Sequence, residues 1–278
     1  MPDKEFFVRF WGVRGSVPVS GPSTCRYGGN TPCLEIRCGD RIIMLDAGSG
    51  AFLLGENLQE NQTGEIDILF THCHYDHIEG APFFKPVHMA GWKVRYWSGH
   101  QFGKMTTAEM IKDYMRQPYF PVGPEVFGAD ASFHDFKPKS ELDLGDGIKI
   151  KTHPLNHPDG AVGYRVEYDG RSICYITDME HVGDIPDKGL CDFIQDAGIL
   201  IYDAMYEDEE FEKFIGFGHS TWQEGARISQ RCNIHQYVAF HHQPCHDDGK
   251  LDLISIALEE MRPGSVLAQE GAVLRPKK

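Results

Sequence analysis

One short stretch constrains most of what this chain can fold into. The run Glu65-Ile66-Asp67-Ile68-Leu69-Phe70 reads as a β-strand and leads directly into Thr71-His72-Cys73-His74-Tyr75-Asp76-His77. Three imidazoles and a carboxylate therefore stand within six residues at a strand end, where open α/β sheets place their chemistry. With 14 histidines in 278 residues, H-x-H-x-D-H arises by chance on the order of 0.003 times in such a chain, so the pattern is a signal. Imidazole and carboxylate suit zinc, and also iron or manganese in mixed nitrogen and oxygen sites. Strand alternation aims His72 and His74 the same way, while Asp76-x-x-Glu79 resembles a helix N-cap that turns Asp76 and His77 toward a second position. Two divalent ions are expected.

Similar runs recur at 6–13, 33–38, 41–48, 148–153, 161–168, 172–178, 198–204, 236–242 and 265–271, and several end in Asp or His. They read as further strands. Helices are expected after Thr106-x-x-Glu109, after Ser220-x-x-Gln223, and along Leu251, Ile254, Leu258 and Met261 up to Pro263-Gly264. Strand-rich halves each followed by helices predict an α/β four-layered αβ/βα sandwich. The expectation is one domain over 1–278, with 100–135 as an inserted helix-loop segment and candidate lid.

Composition narrows the function. Lys plus Arg at 27 against Asp plus Glu at 41 gives a net charge of −14, which argues against an extended nucleic-acid surface or an anionic membrane as partner. The charged start MPDKEFFVRF does not read as a signal peptide, no uncharged run reaches the roughly 18 residues of a membrane span, and a cytoplasmic protein is expected. Eight cysteines without a C-x-x-C pair read as reduced, small apolar side chains rather than a disulfide framework.

H-x-H-x-D-H at a strand end resembles the metallo-β-lactamase-fold hydrolases. Asn156-His157-Pro158-Asp159-Gly160-Ala161-Val162-Gly163-Tyr164-Arg165 is similar to their His-then-Gly-Tyr-Arg segment, Ile176-Thr177-Asp178 to their bridging-Asp strand end, and Val238-Ala239-Phe240-His241 to the strand of their final ligand. The resemblance implies one metal on His72, His74 and His157, a second on Asp76, His77 and His241, and Asp178 between them. His242, His153 and His246 stand near enough to compete, His242 most directly with His241. Gly218-His219-Ser220-Thr221 further resembles a His-Ser-Thr element of the transfer-RNA-maturing endonucleases and their phosphodiesterase relatives. Ile201-Tyr202-Asp203-Ala204 occupies the place of the carboxylate strand that orients the His, with Asp for Glu.

The resemblance implies a binuclear phosphodiesterase with Asp76, His219 and Asp203 as catalytic residues and zinc as the metal, manganese or iron being alternatives. Arg14, in the Gly-rich loop Trp11-Gly12-Val13-Arg14-Gly15-Ser16, together with Ser220 and Thr221, is a candidate substrate contact. The acidic balance points to a small phosphodiester, a cyclic nucleotide or related cyclic phosphate, and the resemblance implies a homodimer. An RNA endonuclease of the transfer-RNA-maturing type and a lactone or thioester hydrolase are the alternatives. A di-iron redox protein would more naturally carry a carboxylate at His74.

Overall fold

The computed structural model describes residues 4–58, 63–183 and 187–277. Its strands in chain order are β1 (Phe6–Gly12), β2 (Cys33–Cys38), β3 (Arg41–Leu45), β4 (Gly64–Phe70), β5 (Trp92–Ser98), β6 (Asp130–Asp135), β7 (Glu141–Gly145), β8 (Ile148–Leu155), β9 (Ala161–Tyr168), β10 (Arg171–Ile176), β11 (Ile199–Asp203), β12 (Gln236–Phe240), β13 (Val266–Leu267) and β14 (Val273–Leu274). They form two seven-stranded sheets, ordered β14-β1-β2-β3-β4-β5-β6 and β13-β12-β11-β10-β9-β8-β7. Within each sheet one half is antiparallel, while β3 to β6 and β10 to β13 run parallel. The α-helices are α1 (Gly50–Leu58), α2 (Tyr75–Ile78), α3 (Thr107–Tyr114), α4 (Lys188–Ile194), α5 (Asp208–Phe211), α6 (Trp222–Arg231) and α7 (Asp248–Met261).

Residue alternation explains the layers. In β10, β11 and β12 the residues Ile173, Tyr175, Ile199, Ile201, Val238 and Phe240 face the first sheet, where they join Phe10, Leu34, Ile36 and Leu69 in one apolar core. Their neighbours Cys174, Ile176, Leu200, Tyr202, Tyr237 and Ala239 point outward onto Leu190 of α4, Ala226 and Ile228 of α6 and Leu251, Ile254 and Leu258 of α7. Ile66, Ile68 and Phe70 of β4 likewise meet Leu54 and Leu58 of α1 and Met110 and Ile111 of α3. Parallel strands buried on both faces are the reason these runs are apolar almost throughout. The chain has the four-layered αβ/βα sandwich of the metallo-β-lactamase fold.

Several local expectations shift. Thr106 and Glu109 do form a capping box on α3. The N-cap of α6, however, is Thr221, whose side chain accepts from the Glu224 amide, so the cap lies one residue beyond Ser220. Asp76 is not an N-cap: it lies inside the single turn of α2, behind His74, and no side chain caps that turn. Residues 130–135 of the expected insertion are β6, which pairs in parallel with β5; the crossover between those strands carries α3. β5, β6, β7 and β14 were not among the expected strands, although Trp92, Val94 and Tyr96 of β5 alternate with Lys93 and Arg95 and Leu142 and Leu144 of β7 alternate with polar neighbours.

Candidate metal centre

The parallel strands deliver the expected ligands to one end of the sandwich. Donor atoms of His72, His74 and His157 lie within 4.8 Å of one another, as do those of Asp76, His77 and His241. His74 Nδ1 is 2.9 Å from His72 Nε2 and 3.0 Å from His157 Nε2. His241 Nε2 and His77 Nε2 each stand 3.2 Å from Asp76 Oδ2. Asp178 lies between the two sets: Oδ1 faces His157 at 3.7 Å and His72 at 3.8 Å, and Oδ2 faces His77 at 3.2 Å and His241 at 3.4 Å. His242 turns away and bonds the Ala268 carbonyl at 2.8 Å, and His153 stacks on Phe193. Neither joins the cluster.

The partners of the opposite ring nitrogens fix how these histidines present themselves. His157 Nδ1 donates to the Gly218 carbonyl at 2.8 Å, and His77 Nδ1 donates to Asp46 Oδ2 at 2.8 Å. Thr71 Oγ1 donates to Asp46, which leaves its oxygen to accept from His72 Nδ1 at 3.0 Å. With Nδ1 engaged in each case, Nε2 is the nitrogen turned toward the cluster, the arrangement metal-ligating histidines adopt. Asp46 was absent from the sequence-based candidates, although it ends the run 41–48. It is fully buried and also accepts from the Thr71 amide and the Tyr175 hydroxyl. Asp46, Asp178 and His241 follow β3, β10 and β12 with φ of 57°, 54° and 64°. Left-handed backbone at non-glycine residues costs about 1–3 kcal/mol each and is held at functional sites by its surroundings.

These residues suit divalent cations. His77 Nε2 is buried without a hydrogen-bond partner, an orphan that metal coordination would satisfy. Burial opposes charge on His77, yet Asp76, Asp178 and Asp46 pull its pKa well above the ordinary imidazole value. Burial likewise opposes ionisation of Asp178, while His241, His77 and His72 hold it well below the usual carboxylate range. The local field favours added positive charge. A cleft of about 420 Å³ opens above the cluster, lined by Ser16, His74, Tyr75, Asp76, Asp178 and His219 among others.

At the cleft wall His219 Nδ1 donates to Asp203 Oδ2 at 2.9 Å. The other positions of that carboxylate are filled by backbone amides: Asp178 on Oδ2, and Met205 and Ser220 on Oδ1. Asp203 and His219 also cluster with Asp178 and His241 within 4.8 Å, but four N–H groups already occupy the Asp203 oxygens, which suits it to orienting the imidazole. Burial lowers the His219 pKa, but Asp203, followed by Asp178 and Asp76, outweighs it and pushes the value up to about 9.

Three expected substrate contacts lie elsewhere. Arg14 is fully buried, and its guanidinium bonds the carbonyls of Gly28, Gln243 and His246. It ties the Gly-rich loop to the segment after β12. That loop reaches the site through a different residue, Ser16, whose amide donates to Asp76 Oδ2 at 2.8 Å. Ser220 is buried and its hydroxyl pairs with His181 Nδ1 at 2.8 Å; Thr221, also buried, caps α6 and donates to Asp208. These side chains serve the loops instead of facing the cleft.

Comparison with known proteins places the chain in a family. Residues 41–242 match the beta-lactamase superfamily domain, and the chain belongs to that superfamily as a metal-dependent hydrolase of the metallo-β-lactamase fold. It is similar to the ribonuclease Z of Pyrococcus furiosus, 23% identical over 265 residues that cover 77% of this chain and 81% of that protein. Among solved structures, a diphosphatase from the PhnP family superposes with TM-score 0.71 at 18% identity, covering 98% of each chain. The short form of human tRNase Z gives 0.68 at 19% identity, covering 98% of this chain and 100% of that one.

Proposed function

We propose that the chain is a binuclear metal-dependent phosphodiesterase. The observation that carries this reading is the His219–Asp203 pair, 2.9 Å across, set at the wall of the same cleft as the ligand cluster. In this reading His72, His74 and His157 would hold one ion and Asp76, His77 and His241 the other, with Asp178 shared between the two sets. With Asp178 counted, each ion would meet four protein donors, and zinc, which expands to five-coordinate in catalytic sites, would still take a water. When bound, the ions supply a water activated near neutral pH and offset charge on the phosphate oxygens. Asp46, Asp76, Asp178 and Asp203 carry four negative charges, which two divalent ions balance, so a protonated His219 adds the positive charge that meets a phosphate. His219 Nε2 then donates a proton to the leaving oxygen, and Asp203 keeps the ring in the tautomer and orientation for that transfer. Asp76 binds metal and, with Asp178, orients the attacking water. A carbonyl substrate would give the pair no evident task.

Between the two phosphodiester readings, the sequence relatives favour RNA, being ribonuclease Z proteins, while the tRNase Z and diphosphatase structures share the fold alike. We therefore take a transfer-RNA precursor as the leading substrate. The small cyclic phosphate is the second reading, favoured by the net charge of −14. The crossover between β5 and β6 is read as a lid, because the Tyr114 ring of α3 lies 6.2 Å from Tyr75 and Gln101 donates to the Asp159 carbonyl beside the His157 loop. A homodimer, implied by resemblance, completes this reading and is checked by light scattering. The substrate test compares kcat/KM for a precursor transfer RNA and a cyclic mononucleotide across a salt series. Efficient RNA cleavage that falls steeply with salt supports the first reading; turnover of the cyclic nucleotide alone, with shallow salt dependence, reverses the order.

A further inference from the structure

Glu180 lies two residues beyond Asp178, in none of the ligand sets, yet its position is tightly determined. It is 9% exposed, and its Oε2 accepts from the amides of both Gly216 (2.7 Å) and Gly218 (2.9 Å). Its own amide donates to the Asn156 carbonyl at 2.8 Å, and Asn156 Nδ2 returns a bond to the Glu180 carbonyl at 2.9 Å. One residue thus joins the loop after β10, the loop that carries His157 and the loop that carries His219. The Gly218 carbonyl, in turn, accepts from His157 Nδ1 at 2.8 Å. Gly218 has φ +86°, and a Cβ there would lie 2.2 Å from His157 Nδ1. The last residue before His219 is therefore pinned on both faces, by a carboxylate and by an imidazole.

Burying a carboxylate is costly unless it is hydrogen-bonded, and two convergent amides form the kind of concavity that holds an anion. Without Glu180 both amides would be left unsatisfied and the loop would rearrange to reach water. From this geometry we infer that Glu180 is a positioning residue for His219: it holds the Gly216–Gly218 loop so that the imidazole meets the leaving oxygen. The inference rests on the phosphodiesterase reading, in which His219 acts on the substrate.

The test is a double-mutant cycle on a dinucleoside monophosphate, whose alkoxide leaving group needs a proton, with metal content measured for every variant. Glu180→Ala should lower kcat about 10–100-fold, with KM and bound metal unchanged. Because Glu180 acts through His219, the double variant with His219→Ala should be no slower than His219→Ala alone, within about two-fold. Glu180→Gln keeps an oxygen that accepts both amides and should restore most of the rate. Amide hydrogen exchange at residues 216–220 should quicken in Glu180→Ala, while β11 and α6 stay protected. Losses that multiply in the double variant, or metal lost in Glu180→Ala, would overturn the inference. A wild-type protein inert toward every phosphodiester would instead sink the phosphodiesterase reading, and the exchange experiment would still decide whether Glu180 anchors the loop.

Discussion

Asp203 and His219 form a pair in which the carboxylate has no acceptor position to spare. Oδ2 takes the imidazole Nδ1 at 2.9 Å and the Asp178 amide at 3.0 Å; Oδ1 takes the amides of Ser220 and Met205 at 3.0 and 3.1 Å. The ring orientation is thereby set by the strand end of β11. Asp203→Asn should cost about 10²–10⁴-fold in kcat with metal content retained, since one positioned proton donor is lost. The pH profile supplies the second readout. Protonated His219 is the active form, so activity falls as pH rises through its pKa. Asp203 is the largest cause of the upward shift toward about 9, so the variant should move the alkaline limb to lower pH. Bound ions offset Asp178 and Asp76, so the wild-type limb should lie below 9. A limb that stays in place in Asp203→Asn contradicts the assignment.

Asp46 orients His77 at 2.8 Å and reaches His72 through Thr71. Asp46→Asn keeps a residue that tolerates left-handed backbone, yet it removes the charge behind two ligands. Metal affinity, measured by competition with a chromogenic chelator, should fall about 10–100-fold. An unchanged affinity would show that Asp46 serves packing only.

Removal of the ions leaves four carboxylates and a group of imidazoles crowded within a few ångströms. Chelator-treated protein should therefore unfold at least about 5 °C lower than the loaded form, with full recovery on adding metal back. Scanning calorimetry of the two forms checks this; coincident transitions would mean that the cluster binds no ion tightly.

Far from the site, Asp67 is fully buried and accepts from Arg95, Arg41 and Trp97 at 2.7–3.0 Å. Burial opposes its ionisation, but the arginines hold its pKa below the usual carboxylate value. Its contribution to stability is then fully present above about pH 4 and is lost as pH falls through the depressed folded-state value. Asp67→Asn should destabilise by about 3–5 kcal/mol at neutral pH, and the gap to wild type should narrow below about pH 4. Urea titrations at pH 7 and pH 3 measure both.

The residues that were legible in the sequence are those whose chemistry is carried by type and spacing. H-x-H-x-D-H stands beside a strand that is apolar on both faces, and His157, Asp178 and His241 each stand at or just beyond the end of a comparable run. Asp46 was passed over because one carboxylate after RIIML looks like any turn aspartate; only the folded chain brings it to His77, 31 positions away. Glu180 carries no motif at all, since its task is defined by two glycine amides 36 and 38 residues downstream. Arg14 erred the other way. An arginine in a Gly-rich loop suggests phosphate, but long-range pairing with the carbonyls of Gln243 and His246 uses up its donors. β5 carries a legible alternation, Trp92, Val94 and Tyr96 against Lys93 and Arg95, whereas β6 is a strand because β5 offers it a parallel edge.

The most direct test of the account is turnover by metal-loaded protein of bis(4-nitrophenyl) phosphate set against 4-nitrophenyl acetate and a thioester. The account predicts that the diester is hydrolysed, that chelation abolishes the activity, and that His219→Ala lowers kcat about 10²–10⁴-fold at unchanged metal content on a diester whose alkoxide leaving group needs a proton, a dinucleoside monophosphate. Hydrolysis of the ester or thioester with the diester left intact, or turnover of the dinucleoside monophosphate indifferent to His219, would contradict it.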